Sequence, residues 1–134
     1  MWYHYTLPVT AGTLEAAPVA KQLKLTHGVI THISVLFPTG CKQLVKVRLL
    51  HQEHQIFPNN PDEPASADGM PEGGDVHYQL YGEPFEIKAI GYAPAAIYDH
   101  SITIMVNVLP PEVAEPWTVQ TSILDKLKNV FGLS

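Results

Sequence analysis

"GVITHISVLFPTGCKQLVKVRLLH", residues 28–51, decides the fold class of this chain. In its second half Val45, Val47 and Leu49 share one parity, and Lys46 and Arg48 share the other. That is the period of a strand with one buried and one solvated face. Its first half sets Val29, Ile33, Val35 and Phe37 against Ile30, His32, Ser34 and Leu36, which reads as a strand with one apolar and one mixed face. Pro38-Thr39-Gly40 makes the turn between them.

The same grammar continues downstream. "VHYQLYG" (76–82) is a short strand; "FEIKAIGY" (85–92) sets Phe85, Ile87 and Ala89 against Glu86 and Lys88; "SITIMVNVL" (101–109) alternates Ile102, Ile104, Val106 and Val108 with Ser101, Thr103, Met105 and Asn107 until Pro110-Pro111 stops it. Twelve prolines and nine glycines punctuate the chain and leave short extended segments between turns. Several short β-branched strands with no helix between them predict an all-β chain, an antiparallel β-sandwich of jelly-roll type. The expected organisation is an N-terminal arm over 1–22, a sandwich over 23–110 containing a long loop at 58–75, and a Pro-rich linker with an amphipathic helix over 111–134. That helix has Thr121 or Ser122 as its cap, Asp125 in its first turn and Gly132 at its end.

Composition narrows the function classes. The chain has 134 residues, the size of one domain, with a formal charge of −5 and only 8 Lys and Arg. These cations are scattered, so no basic face exists for phosphate neutralisation, and nucleic acid is not an expected partner. No window reaches the roughly 18–20 apolar residues of a membrane span, and the N-terminus lacks the charged and apolar regions of a secretory signal. Neither a membrane nor secretion is expected. The single Cys41 has no partner for an intrachain disulfide and reads as a buried, inert thiol. Charged residues amount to 16%, against a usual share of about 25%, a first hint that part of the surface is covered in an assembly.

Candidate chemistry centres on His51-Gln52-Glu53-His54. On a regular strand these histidines, three apart, face opposite sides and do not chelate one ion; a turn at Gln52-Glu53 would change that, but a zinc site still needs a further ligand such as His27, His32, His77 or His100. A cupin-like metal enzyme would carry two histidines one residue apart on a strand, and no such pair occurs. Cys41 lacks an activating neighbourhood, and there is no nucleophile elbow, phosphate loop or Cys-x-x-Cys. The acids Asp62, Glu63, Asp68, Glu72 and Asp75 do not have the spacing of a calcium loop and read as solvated. No catalytic residue, metal site or cofactor is assigned. Aromatic residues at Trp2, Tyr3, Tyr5, Tyr78, Tyr81, Tyr92 and Tyr98 allow a sugar-stacking platform or a subunit interface.

The runs "HGVITHISVLFPTGCKQLVKVRLLHQEHQIFPNNPDEP" and "PFEIKAIGYAPAAIYDHSITIMVNVLP" together resemble small β-sandwich virion proteins of tailed bacteriophages, over roughly residues 23–110. The resemblance implies a non-enzymatic decoration or minor virion protein, located in the virion after assembly in the host cytoplasm. It implies a homo-oligomer, taken as a trimer, seated on a major capsid or other virion protein. The expected assembly interface is Trp2, Tyr3, Tyr5, Trp117, Ile123, Leu124, Leu127, Val130 and Phe131, because these apolar side chains are costly to leave in water. A carbohydrate-binding β-sandwich and a cupin-like enzyme are the alternatives.

Overall fold

The structure is a computed structural model, and it describes residues 1–60 and 63–116. Eight strands form in chain order: β1 (Trp2–Val9), β2 (Val19–Lys24), β3 (Gly28–Phe37), β4 (Lys46–His51), β5 (His54–Phe57), β6 (Met70–Leu80), β7 (Glu86–Tyr92) and β8 (His100–Leu109), followed by a one-turn helix, α1 (Pro111–Ala114). They build two four-stranded antiparallel sheets, β1-β8-β3-β6 (sheet A) and β2-β7-β4-β5 (sheet B). In this order β4 pairs with β5, β3 with β6, β2 with β7 and β1 with β8. One long antiparallel ribbon is thus folded back on itself, and the extra pairs β8 with β3 and β7 with β4 close it into a jelly roll. The expected fold class holds.

The ribbon reverses at Gln52 and Glu53. His51 pairs directly with His54, and the two residues between them have φ of 48° and 71°, a two-residue hairpin of type I′. Type I′ geometry matches the right-handed twist of the flanking strands.

The core lies between the sheets. Phe37, Leu7, Leu23, Ile30, Ile33, Leu49, Leu80, Ile87, Ile102 and Ile104 are among its largest fully buried side chains, each contributing about 1.5–3 kcal/mol of transfer free energy. Cys41 is fully buried there, and burial, then the charge of Asp68, raises its thiol pKa.

Three segments differ from the sequence expectation. In place of an arm over 1–22, β1 forms the edge of sheet A and β2 the edge of sheet B, with Leu7 and Val9 in the core. The long loop expected over 58–75 ends at residue 69, because Met70 begins β6 and Ala65 and Ala67 are buried beside β4. Residues 111–114, expected within a stiff extended linker, coil into α1, which packs on β3 over the outward-facing Val29. A bulge at Thr31 makes this possible. It inserts one residue relative to β8, so Ile33, Val35 and Phe37 point inward while Val29, on the same parity, points outward.

Candidate functional site: loop end and outer sheet face

The jelly roll is asymmetric end to end. At one end the connections are short, at 25–27, 52–53 and 81–85; at the other lie the four longer ones, at 10–18, 38–45, 58–69 and 93–99. These longer loops are laced in pairs. Gly12 N–H donates to Ala93 O at 2.9 Å, Ala93 N–H to Thr13 O at 2.9 Å, and Ala11 N–H to Asp99 Oδ1 at 2.8 Å. Gly40 N–H donates to Asp68 Oδ1 at 2.8 Å, and Gln43 N–H to Ala67 O at 3.4 Å. The loops are therefore held as a surface rather than as independent tips. On it stand three large apolar side chains in water: Leu14 at 60% exposure, Ile97 at 81% and Tyr98 at 71%. Ile97 and Tyr98 border a depression of about 250 Å³ shared with Thr39, Lys42, Leu44 and His100. Lys42 and Gln43, at the edge of this surface, have positive φ of 50° and 60°. Non-glycine residues rarely adopt that conformation, and it is stored most often at recognition and switch segments.

The outer face of sheet A is the second unusual surface. Strands β1, β3 and β8 contain no Asp, Glu, Lys or Arg, and of the two acids of β6 Asp75 lies on this face, whereas Glu72 pairs with the inward-facing Val35. Sheet B has Lys21, Lys24, Lys46, Arg48, Glu86 and Lys88 in its strands, the usual dress of a solvated sheet. Across sheet A the register aligns Trp2, Asn107, His32 and Asp75 in one row, and His4, Met105, Ser34 and Gly73 in the next. Trp2 is 52% exposed and meets the His32 ring edge-on at 5.4 Å. His32 Nδ1 lies 2.9 Å from Asp75 Oδ1. A carboxylate only accepts, so Nδ1 donates and Nε2 is left for another partner. Trp2, His4, His32, Ser34 and Met105 line a shallow open depression of about 390 Å³.

The rest of that face is closed by the chain leaving the sandwich. Glu115, just past α1, is only 4% exposed and lies on β6. Its carboxylate accepts from Tyr81 Oη, from His77 Nε2 at 2.7 Å and from Gln79 Nε2 at 2.6 Å, the alternate residues of one strand face. The hydrogen bonds from Tyr81, His77 and Gln79 hold the carboxyl at about 2, and the bond to Glu115 pushes Tyr81 up to about 12. His27 stacks on Tyr81 at 5.1 Å and completes the patch.

The residues singled out from the sequence fall in separate places. His51 and His54, expected on opposite sides of a strand, lie across the type I′ turn on the same side, because the turn and not the strand sets their relation. Both pack on Tyr78: His51 Nδ1 is 2.5 Å from its hydroxyl, and the His54 ring stacks at 6.3 Å. Burial, then the nearby His54, lowers the His51 pKa. Among the described residues no group of three or more His, Cys, Asp or Glu forms a metal-binding cluster. Of the expected interface residues, Trp2 faces outward. Tyr3 and Tyr5 face inward and wall the open side between β1 and β2; the Tyr3 hydroxyl hydrogen-bonds Thr26 Oγ1 at 3.1 Å, and the Tyr5 hydroxyl donates to Lys24 O. Trp117, Ile123, Leu124, Leu127, Val130 and Phe131 lie outside the described residues. Of the loop-end residues, Leu14 belongs to the expected N-terminal arm and Tyr98 to the aromatics read as a sugar platform or subunit interface, and Ile97 is not singled out on sequence. Its signal, an apolar residue inside a Pro/Gly-bounded loop, is visible only once the loops are known to converge. No helix among the described residues is long and apolar enough to cross a membrane. Compared with known proteins, the sequence matches no protein-family model and no curated protein.

Proposed function

We propose that this chain is a non-enzymatic structural protein of a virus particle, of the decoration or minor-virion kind that the tailed-phage resemblance implies. It assembles with copies of itself, as a trimer, and sits on a larger virion protein. The observation that supports this reading is the loop end, where Leu14, Ile97 and Tyr98 stand exposed on loops braced by cross-loop hydrogen bonds. Adjacent exposed apolar side chains on a braced surface, as Ile97 and Tyr98 are around their shared depression, mark protein contacts. Burying the three side chains supplies about 1.5–3 kcal/mol each, which is comparable with the lower range of association costs, about 4 kcal/mol and upward. The loop end thus supplies the hot spot of an interface that needs further contact area from its rim.

Light scattering on the purified chain tests this directly. The wild type is expected at about three times the 14.8 kDa chain mass, and the double substitution Ile97→Ser, Tyr98→Ser at the mass of one chain. A wild type that stays monomeric up to about 1 mM, equivalent to no association stronger than about −4 kcal/mol, overturns the reading.

A further inference from the structure

We infer that the outer face of sheet A carries a binding site for a neutral sugar, centred on Trp2 and distinct from the loop-end contact. The site follows from register. Trp2, on the edge strand, places an exposed indole in the same cross-strand row as His32 and Asp75, and His4 and Ser34 stand in the adjoining row. An indole face offers a flat apolar platform, which suits the axial C–H face of a pyranose ring. Beside it, the His32–Asp75 pair supplies planar polar groups. Asp75 accepts from His32 Nδ1 at 2.9 Å, which orients the ring and leaves Nε2 for a ligand hydroxyl. The Asp75 side chain is 96% exposed, so its second oxygen is accessible to a hydroxyl donor.

The charge pattern selects the ligand class. Strands β1, β3, β6 and β8 hold no Lys or Arg, and the Met1 ammonium at the edge of the Trp2 row is already engaged by Asn107 Oδ1 at 3.1 Å and Val108 O at 2.8 Å, so no side-chain cation of these strands is offered to a phosphate, a sulfate or a uronic or sialic carboxylate. Asp75 repels such groups. A ligand with an apolar face, many hydroxyls and no charge fits the surface; a nucleotide or an acidic glycan does not. The depression of about 390 Å³ is open and shallow, the shape for one or two rings of a longer chain rather than for an enclosed monosaccharide.

The test is a printed glycan array carrying neutral and acidic oligosaccharides, followed by calorimetric titration of the strongest neutral binder into wild type, Trp2→Ala, Trp2→Phe and His32→Ala. Expected are retention of neutral glycans, affinity about tenfold weaker in Trp2→Ala, partial recovery in Trp2→Phe, and loss in His32→Ala. Melting temperatures confirm that each variant remains folded. Retention of acidic glycans alone, an array that retains no glycan, or affinity indifferent to Trp2→Ala overturns the inference. The loop-end substitutions Ile97→Ser and Tyr98→Ser serve as the separating control, because they disturb assembly and leave glycan affinity per chain unchanged.

Discussion

Replacing Gln52-Glu53 by Asn-Gly should stabilise this protein, although Glu is ordinarily a better residue than Gly in a folded chain. The reason lies in backbone geometry. Gln52 and Glu53 hold φ of 48° and 71°, where an L side chain costs about 1–2 kcal/mol per residue, while Gly carries no such penalty and Asn tolerates the region. Against this gain stands the larger conformational freedom of Gly in the unfolded chain, about 0.4–1 kcal/mol. The net expectation is a stabilisation of about 1 kcal/mol. Over 134 residues, with an unfolding entropy of about 2.1 cal/mol/K per residue, that corresponds to a rise in Tm of about 3–4 °C. Urea denaturation should show a higher midpoint with an unchanged slope, since the surface exposed on unfolding does not change. The β-branched control Glu53→Val should move the other way by about 1 kcal/mol or more. If Asn-Gly is neutral or destabilising at unchanged slope, the ribbon does not reverse in a type I′ turn at residues 52–53, and the strand pairing built outward from it is wrong.

Further predictions concern packing and protonation. Phe37→Ala, at a fully buried core site, should cost about 3–5 kcal/mol in denaturant unfolding. Gly73→Ala should destabilise strongly and lower the hydrogen-exchange protection of β3 and β6, because the new Cβ would meet Ile33 O at 2.1 Å and the residue has φ of 142°. The lowered pKa of His51 means that the unfolded chain binds its proton first as pH falls. Its contribution is therefore fully present above pH 6.5 and is lost as pH falls through the lower folded value. His51→Gln should flatten this part of the stability profile. Glu115, held near 2 from an ordinary 4.5, contributes stability that is present above about pH 4.5 and lost on descent toward about pH 2; Glu115→Gln should remove that acid limb and return the Tyr81 hydroxyl, titrated by absorbance, toward its usual range.

The interior of this fold is legible where one face of a strand is apolar and the other charged. Residues 44–51 state their inside and outside plainly, and β7 and β8 do nearly so. Tyr3, Tyr5, Leu7 and Val9 alternate just as regularly with Trp2, His4, Thr6 and Pro8, yet they read as an arm, because the outward set is itself aromatic, imidazole and proline rather than charged. The property that hides β1 is the property that makes its outer face unusual. The Thr31 bulge is not legible, since it shifts parity inside a run whose two faces both carry apolar residues. Nor is the Glu115 cluster, because a carboxylate 34 to 38 positions from its donors leaves no local spacing signal. The Gln52-Glu53 turn lacks Asn and Gly, the residues by which such a turn is ordinarily recognised.

Concentration-dependent hydrogen exchange tests the assembly claim most directly, because it locates the contact as well as detecting it. Peptides covering residues 10–18 and 93–99 should gain protection as concentration rises through the association range, in step with the mass from light scattering, while peptides from the charged face of β2, β4 and β7 remain unchanged. An oligomer that forms without protection in those two loops, or with its protection confined to sheet B, would contradict the account.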